Sequence, residues 1–399
     1  MSRMRIAALT NAFPTRGAPN FGRPTFQRLA ALSALADVAV FVADPRHGVL
    51  RPNYFLPHGQ GEPERIDGVA VTYVTYTAVP VVSRALNGWL LGRRLAPLAA
   101  RFRPDVVLGY FVHPEGSAAV EAARRLGVPS VVCAIGSDLR QISGSVVRRC
   151  ISGTLRRASR VITVSEELRG RAVALGADPQ HVRTIRNGCD TAIFRLADRG
   201  AARAALGIPA SAGLILFTGS LLPLKGVYPL VEAFETLSRT DPAIELAMIG
   251  DGTLKPELLR RSAAFGGRLR LPGRLAPAEV ARWLAAADVF CLPSYSEGSP
   301  NAIIEALCCG RPVVASNVGG IPELINETCG LTVPPGDAAS LAGALAAALK
   351  TAWSTGAIVA AATRPWSDTA RETLEVCRAA AGLRGAGASG RTEAAEVNF

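Results

Sequence analysis

The sequence predicts an α/β protein made of two doubly wound parallel sheets in tandem. At 399 residues the chain is too long for one ordinary core and suits two. Short β-branched runs alternate with helix-like segments from end to end, as strand–helix–strand crossovers in a parallel sheet require. After Asn187-Gly188 a charged, Ala-rich connection interrupts the pattern, which then begins again.

In the first half, Ile6–Leu9, Val38–Val42, Val69–Tyr73, Val106–Leu108, Ser130–Ala134 and Val161–Val164 are expected strands, with helices at Thr25–Leu35 and Ser117–Leu126. In the second half, strands are expected at Leu214–Phe217, Glu245–Ile249, Leu269–Leu271, Val289–Leu292, Val313–Ala315 and Leu331–Val333. The alanine-rich stretch Asp337–Thr363 reads as helix, and a last helix is expected over Trp366–Ala381. The chain thus divides into an N-terminal domain (1–190), a C-terminal domain (191–365) and a helix (366–381) that returns toward the N-terminal domain. The Gly/Ala/Ser/Glu-rich tail, 382–399, has the composition of a disordered segment. Ligands of such sheets lie at the carboxyl ends of strands, so the space between the domains is the expected cleft.

Hydrophobic residues make up 49% of the chain, which excludes a disordered or fibrous protein. The eight cysteines form no Cys-x-x-Cys pair and no cluster with His at metal-ligand spacing, so free thiols in a reducing compartment are expected. No charged-then-apolar segment precedes the first strand, and the longest uncharged stretch, Ala204–Leu224, is broken by Pro209, Gly213, Gly219 and Pro223. A cytoplasmic chain without a membrane span is therefore expected.

Net charge is divided unevenly. Residues 1–190 carry 25 Arg, no Lys and 13 acids, a balance of +12, and the remainder is neutral. Two acid-free stretches hold much of it: Gly68–Pro104, with Arg84, Arg93, Arg94, Arg101, Arg103 and Trp89, and Leu139–Ser165, with Arg140, Arg148, Arg149, Arg156, Arg157 and Arg160. In the second, Val147, Ile151 and Leu155 recur every four residues, so an apolar stripe turns inward and the arginines outward. Such a face is either simply solvated or attracts anionic lipid headgroups or an acidic acceptor. Nucleic acid is not expected, because no binding motif accompanies the charge.

The most informative segment runs from Pro293 to Pro312. The strand Val289–Leu292 ends in a polar turn, and a helix follows with Ser299 as expected N-cap, Pro300 as first helical residue and Gly310 at its stop. Free backbone N–H groups and the positive end of a helix dipole at the mouth of a sheet make an anion site. Glu297, before the helix, can accept hydrogen bonds from sugar hydroxyls. Glu305 lies amid Ala302, Ile303, Ile304, Ala306 and Leu307 and needs a partner, for which a ribose diol offers two donors. Taken singly, Glu297 reads as a solvated loop acid and Glu305 as half of a structural ion pair. Their shared strand–turn–helix frame favours a ligand.

Glu297 and Glu305 with Gly298 after the first, followed by Gly310-Arg311-Pro312-Val313-Val314-Ala315 and Gly319-Gly320-Ile321-Pro322-Glu323, resemble the family-4 retaining glycosyltransferases of GT-B fold. The likeness extends over nearly the whole chain. Asn187-Gly188-Cys189-Asp190 with Phe194 is similar to the family's hinge, Gly219-Ser220-Leu221 through Lys225-Gly226 to its first C-domain loop, and Gly250-Asp251-Gly252 to its second. The Thr10-Asn11-Ala12-Phe13-Pro14 loop ending at Gly22 is closest to members that build bacterial cell-surface polysaccharides.

The resemblance implies two Rossmann-like domains facing a cleft, and transfer of a sugar from a nucleotide diphosphate to a hydroxyl with retention. It implies that Glu297 contacts the donor sugar, Glu305 the ribose and Lys225 the diphosphate, while His113 faces the sugar across the cleft. Gly219, Ser220, Gly250, Gly298, Ser299, Pro300 and Asn301 would line the donor pocket, and Gly136-Ser137-Asp138 would touch the acceptor. The Gly17–Gly22 loop can bring backbone amides near the diphosphate, or is simply a mobile loop. Lys225 also stands on physical grounds, because a cation after a buried strand, in a chain with lysines only at 225, 255 and 350, is placed to neutralise leaving-group charge. The family usually carries Arg where this chain has Ser220, so part of that neutralisation must come from Arg274 or an N-domain arginine, or be lost.

No Asp-x-Asp occurs in the chain. Neither a metal nor any cofactor beyond a UDP- or GDP-sugar is therefore expected. The expected partners are the nucleotide sugar, a glycan or lipid-linked acceptor and, through the basic domain, the inner face of an anionic membrane. Two other readings share the scaffold: a nucleotide-sugar epimerase or hydrolase, and a catalytically silent partner protein, which Ser220 alone favours. A dehydrogenase is disfavoured because no Gly-x-Gly-x-x-Gly follows the first strand.

Overall fold

The computed structural model describes residues 3–14, 21–46, 64–66, 68–78, 83–142 and 144–382. Residues 383–399 of the expected tail, and 15–20 of the loop before Gly22, lie outside the described residues.

The N-terminal sheet contains β1 (Arg5–Thr10), β2 (Asp37–Arg46), β3 (Glu64–Ile66), β4 (Val69–Thr77), β5 (Val106–Tyr110), β6 (Ser130–Ala134), β7 (Arg160–Thr163) and β8 (Val182–Thr184), in the order β3-β4-β2-β1-β5-β6-β7-β8. Among the described residues only the β3–β4 pair is antiparallel. The C-terminal sheet contains β9 (Gly213–Thr218), β10 (Ile244–Ile249), β11 (Leu269–Gly273), β12 (Val289–Leu292), β13 (Val313–Ser316) and β14 (Gly330–Val333), in the order β11-β10-β9-β12-β13-β14, all parallel. Strands β5, β6, β10 and β12 are buried at every position, because helices cover both sheet faces. All twelve expected strands form. The two added ones, β3 and β8, are three residues long, too short to show a period.

Alternate residues of β1 serve two cores. Ile6 and Ala8 pack with Phe26 and Leu29 of the helix Arg23–Ser33, while Ala7 and Leu9 pack with Leu91 and Leu95 of the helix Asn87–Phe102. The C-terminal helix Trp366–Ala380 joins the first of these cores through Ala370, Leu374 and Cys377. The stretch Asp337–Thr363 is two helices rather than one, Ala338–Lys350 and Thr355–Ala362, bent by 117°. Ser354 accounts for the break, because its side chain accepts the Ala357 N–H at 3.3 Å and starts a new helix. No single helix among the described residues is long and apolar enough to cross a membrane.

The chain crosses between domains near Cys189 and again near Pro365, and the crossings pair, with the Cys189 N–H donating to the Arg364 carbonyl at 2.7 Å. The domains also meet at Gly136, after β6, and Gly298, after β12. A Cβ at Gly298 would lie 2.8 Å from both Gly136 Cα and the Ile135 carbonyl oxygen. The carboxyl ends of the two sheets therefore face each other.

Candidate active site

The C-terminal half of the candidate site is built on the carboxyl ends of β9 and β12. After β9 the chain turns through Pro223–Lys225 and then Gly226, whose φ of 68° suits glycine. A Cβ there would lie 1.9 Å from the Pro293 carbonyl oxygen, so the Lys225 turn is held directly on the end of β12. Lys225 Nζ consequently reaches Glu297 Oε1 at 2.6 Å, and the buried Ser294 Oγ donates to the same oxygen at 2.7 Å. Two candidates named separately in the sequence thus form one ion pair.

The helix after Glu297 spans Asn301–Cys308, with Pro300 at the cap position. This moves the expected start by one residue: Pro300 has extended backbone (φ −74°, ψ 117°), and Ser299 does not cap. Ser299 Oγ is instead buried with no hydrogen-bond partner among the described residues. Asn187 of the hinge ties the segment down, its Nδ2 donating to Ser299 O at 3.1 Å and to Asn301 Oδ1 at 2.9 Å. Arg28 Nη2 donates to Asn187 Oδ1 at 2.6 Å, which links the N-terminal domain to the start of this helix.

The Glu305 carboxylate makes no hydrogen bond or ion pair among the described residues. Burial, reinforced by the charge of Asp190, pushes its pKa up to about 7.

At the ends of β9, β10 and β11 the backbone closes tightly, with the Gly219 N–H donating to Ile249 O and the Gly250 N–H to Gly273 O, both at 2.9 Å. Ser220 and Arg274 are exposed on this rim, and Arg274 has no recorded ion pair among the described residues. Lys255, which the sequence reading passed over, stands here too, with Nζ 3.6 Å from Asp251 Oδ2 and close to Gly273. Its signal was its place three residues after Gly250-Asp251-Gly252 in a lysine-poor chain.

On the N-terminal side, both ring nitrogens of His113 are engaged within their own domain. Nε2 donates to the Arg84 carbonyl at 2.7 Å, which leaves Nδ1, 2.8 Å from Ser117 Oγ, to accept. Burial lowers the His113 pKa, against the opposing pull of the Arg84 carbonyl, so the ring is neutral at pH 7. The acceptor candidates divide. The Asp138 carboxylate accepts the N–H groups of Gly136 (2.8 Å), Val112 (3.0 Å) and Ile135 (3.2 Å), so it braces two cleft loops, whereas Ser137 is exposed. Gly136 is the contact to Gly298. Gly22 sits against the backbone of Ala12.

Two further residues span the cleft without having been singled out for it. Arg140 Nε donates to Ser296 Oγ at 3.0 Å, while its Nη1 lies 2.9 Å from Glu167 Oε2. From the opposite side, Glu323 accepts the backbone N–H groups of Glu166 (2.9 Å) and Glu167 (3.0 Å), at the start of the N-domain helix Glu166–Ala174.

Comparison with known proteins gives the family. Residues 29–193 match the family described as glycosyltransferase family 4, and 212–351 the one described as glycosyl transferases group 1. A D-inositol 3-phosphate glycosyltransferase of Frankia alni is 33% identical over 354 residues, covering 79% of this chain and 85% of the relative. The chain belongs to the family-4 glycosyltransferases.

This glycosyltransferase is also 29% identical over 357 residues to the putative teichuronic acid biosynthesis glycosyltransferase TuaC of Bacillus subtilis, with 86% of this chain and 88% of the relative covered. Among solved structures it resembles sucrose-phosphate synthase from Thermosynechococcus elongatus (TM-score 0.75, 21% identity, 94% and 99% covered). It likewise resembles Anabaena HepE in complex with UDP (TM-score 0.72, 19% identity, 94% and 100% covered). At these identities the structural likenesses bear on the fold, which is α/β GT-B.

Proposed function

We propose that this glycosyltransferase moves a sugar from a UDP- or GDP-linked donor to a hydroxyl acceptor with retention, in the synthesis of a cell-surface polysaccharide or glycolipid. The observation that carries the proposal is the 2.6 Å Lys225–Glu297 pair beside the start of the helix Asn301–Cys308, with the Glu305 carboxylate unpartnered on that helix. The diphosphate lies between Lys225 and the free amides at the helix start, with Lys255 and Arg274 adding charge from the rim, in the place of the arginine that Ser220 replaces. No metal is invoked. Glu305 accepts the ribose hydroxyls, Glu297 binds the donor sugar, His113 faces that sugar from the N-terminal domain, and the exposed Ser137 meets the acceptor. The departing phosphate oxygen takes the acceptor proton on the face it leaves, which preserves the anomeric configuration.

Three likenesses support this reading: HepE was solved with UDP and with UDP-glucose, TuaC is named for teichuronic acid synthesis, and the Frankia relative for transfer to inositol 3-phosphate. Of these the TuaC name favours a glycan or a lipid-linked sugar as acceptor, which we place in the cytoplasm at the inner face of the membrane. The first test is thermal. Saturating UDP or GDP should raise the melting temperature and NAD should not, with ligand at about 100 times Kd adding about 2.7 kcal/mol. A panel of nucleotide sugars, scored for nucleoside diphosphate release with lipid-linked acceptors present and for the anomer of the product, then tests transfer. Stabilisation by NAD alone would reject the reading, and an inverted product would reject retention. The exposed Ser220 favours a second reading, a silent partner protein, for which nucleoside diphosphate binds but no donor is consumed.

A further inference from the structure

The helices Asn87–Phe102 and Gly144–Arg157 both follow strands of the N-terminal sheet, and the segment before the first packs against the middle of the second. Cys150 Sγ donates to the Ala85 carbonyl at 3.7 Å, and His113 Nε2 to the Arg84 carbonyl at 2.7 Å. The segment before the first helix is therefore held between the second helix and the cleft loop that carries His113. On this rim Leu86 is 56% exposed, Trp89 44% and Val146 50%. Arg93, Arg94, Arg148 and Arg149 are exposed on the same two helices, and the Arg93 guanidinium lies 4.6 Å from the centre of the Trp89 ring. Neither Gly68–Pro104 nor Leu139–Ser165 contains an acid. On the intervening helix Ser117–Leu126 the one acid, Glu121, is paired with Arg124 and Arg125.

A solvated basic face gains nothing from holding a leucine, a tryptophan and a valine in water, whereas an interfacial surface needs apolar tips ringed by cations. We propose that the rim formed by Leu86, Trp89 and Val146 with these arginines docks on an anionic phospholipid surface. The cleft beside His113 then opens at the headgroups. This rests on the reading that the acceptor is lipid-linked, because an acceptor confined to the bilayer must be met there. The arginines supply long-range attraction and the apolar tips the insertion.

The test is sedimentation of the full chain with phosphatidylcholine vesicles, with and without phosphatidylglycerol. Pelleting is expected with the anionic vesicles alone and should fade as salt rises. The combined Leu86→Ser, Trp89→Ser and Val146→Ser variant keeps every charge and should partition about tenfold more weakly or worse, since three apolar side chains lose their burial. Arg93→Glu with Arg149→Glu should lose about fivefold per arginine or more. Nucleoside diphosphate binding, measured on the same preparations, should be unchanged in all of them, which reports an intact fold. Wild-type protein that ignores anionic vesicles, or an apolar variant that pellets like wild type, overturns the proposal. So does retention on a soluble acidic polysaccharide without vesicle binding, which would assign the rim to a glycan. Docking without any nucleoside diphosphate binding would instead sink the donor-site reading and leave the docking surface standing.

Discussion

Arg140 Nε donates to Ser296 Oγ at 3.0 Å, which joins an arginine of the N-terminal domain to the residue beside Glu297. The loop that carries Glu297 is therefore held from both sides of the cleft. A hydrogen bond from a charged group contributes roughly 1.5–3 kcal/mol. Arg140→Ala should lower kcat/KM for the nucleotide sugar by about tenfold or more, and because it also removes the contact with Glu167 inside the N-terminal domain the melting temperature should fall modestly. Steady-state release of nucleoside diphosphate measures it, and an unchanged kcat/KM would remove Arg140 from the site.

Lys225→Ala deletes the cation paired with Glu297. If that cation stabilises the departing diphosphate, turnover should fall by about two orders of magnitude or more, on the scale of losing one transition-state charge partner. Single-turnover rates at saturating donor report the chemical step, and near-wild-type rates would show that Lys225 only shapes the loop.

Glu305 gives a pH signature. Its folded pKa of about 7 lies above the ordinary 4.5, so its stabilising contribution to the empty protein is complete below about 4.5 and is lost as pH rises through 7. Donation from ribose hydroxyls needs the ionised carboxylate, so nucleoside diphosphate affinity should run the other way and fall about tenfold between pH 8 and pH 6. Calorimetry on wild type and Glu305→Gln separates this from titration of the diphosphate, which both proteins share. An identical pH dependence in the two would exclude the ribose role.

Gly298→Ala places a methyl group 2.8 Å from Gly136 Cα and the Ile135 carbonyl oxygen, where two backbones meet and neither side can yield cheaply. The domains should be held apart, so nucleoside diphosphate still binds the C-terminal half while transfer drops by about two orders of magnitude, as when reacting groups are misplaced by about 1 Å. Equal loss of binding and transfer would point to misfolding of the donor loop instead.

The strands were legible because their burial on two faces writes continuous apolar runs into the sequence, as in Val289–Leu292. The break at Ser354 was obscured by an alanine-rich run that supports helix on both sides of it. At the helix Asn301–Cys308, Ser299 and Pro300 both satisfy N-terminal preferences, and only the backbone of Pro300 settles which one caps. Lys225 and Glu297 could each be named from local pattern. Their meeting could not, since it depends on Gly226 lying against Pro293. Arg140 and Glu323 act on residues 156 and 157 positions away, a relationship that periodicity and capping rules do not reach.

Glu323 covers the two leading amides of the helix Glu166–Ala174. Glu323 therefore fastens the halves by hydrogen bonds at a half-exposed seam, where salt screens the carboxylate, so faster hydrogen exchange at the Glu166 and Glu167 amides is the expected effect of raising ionic strength.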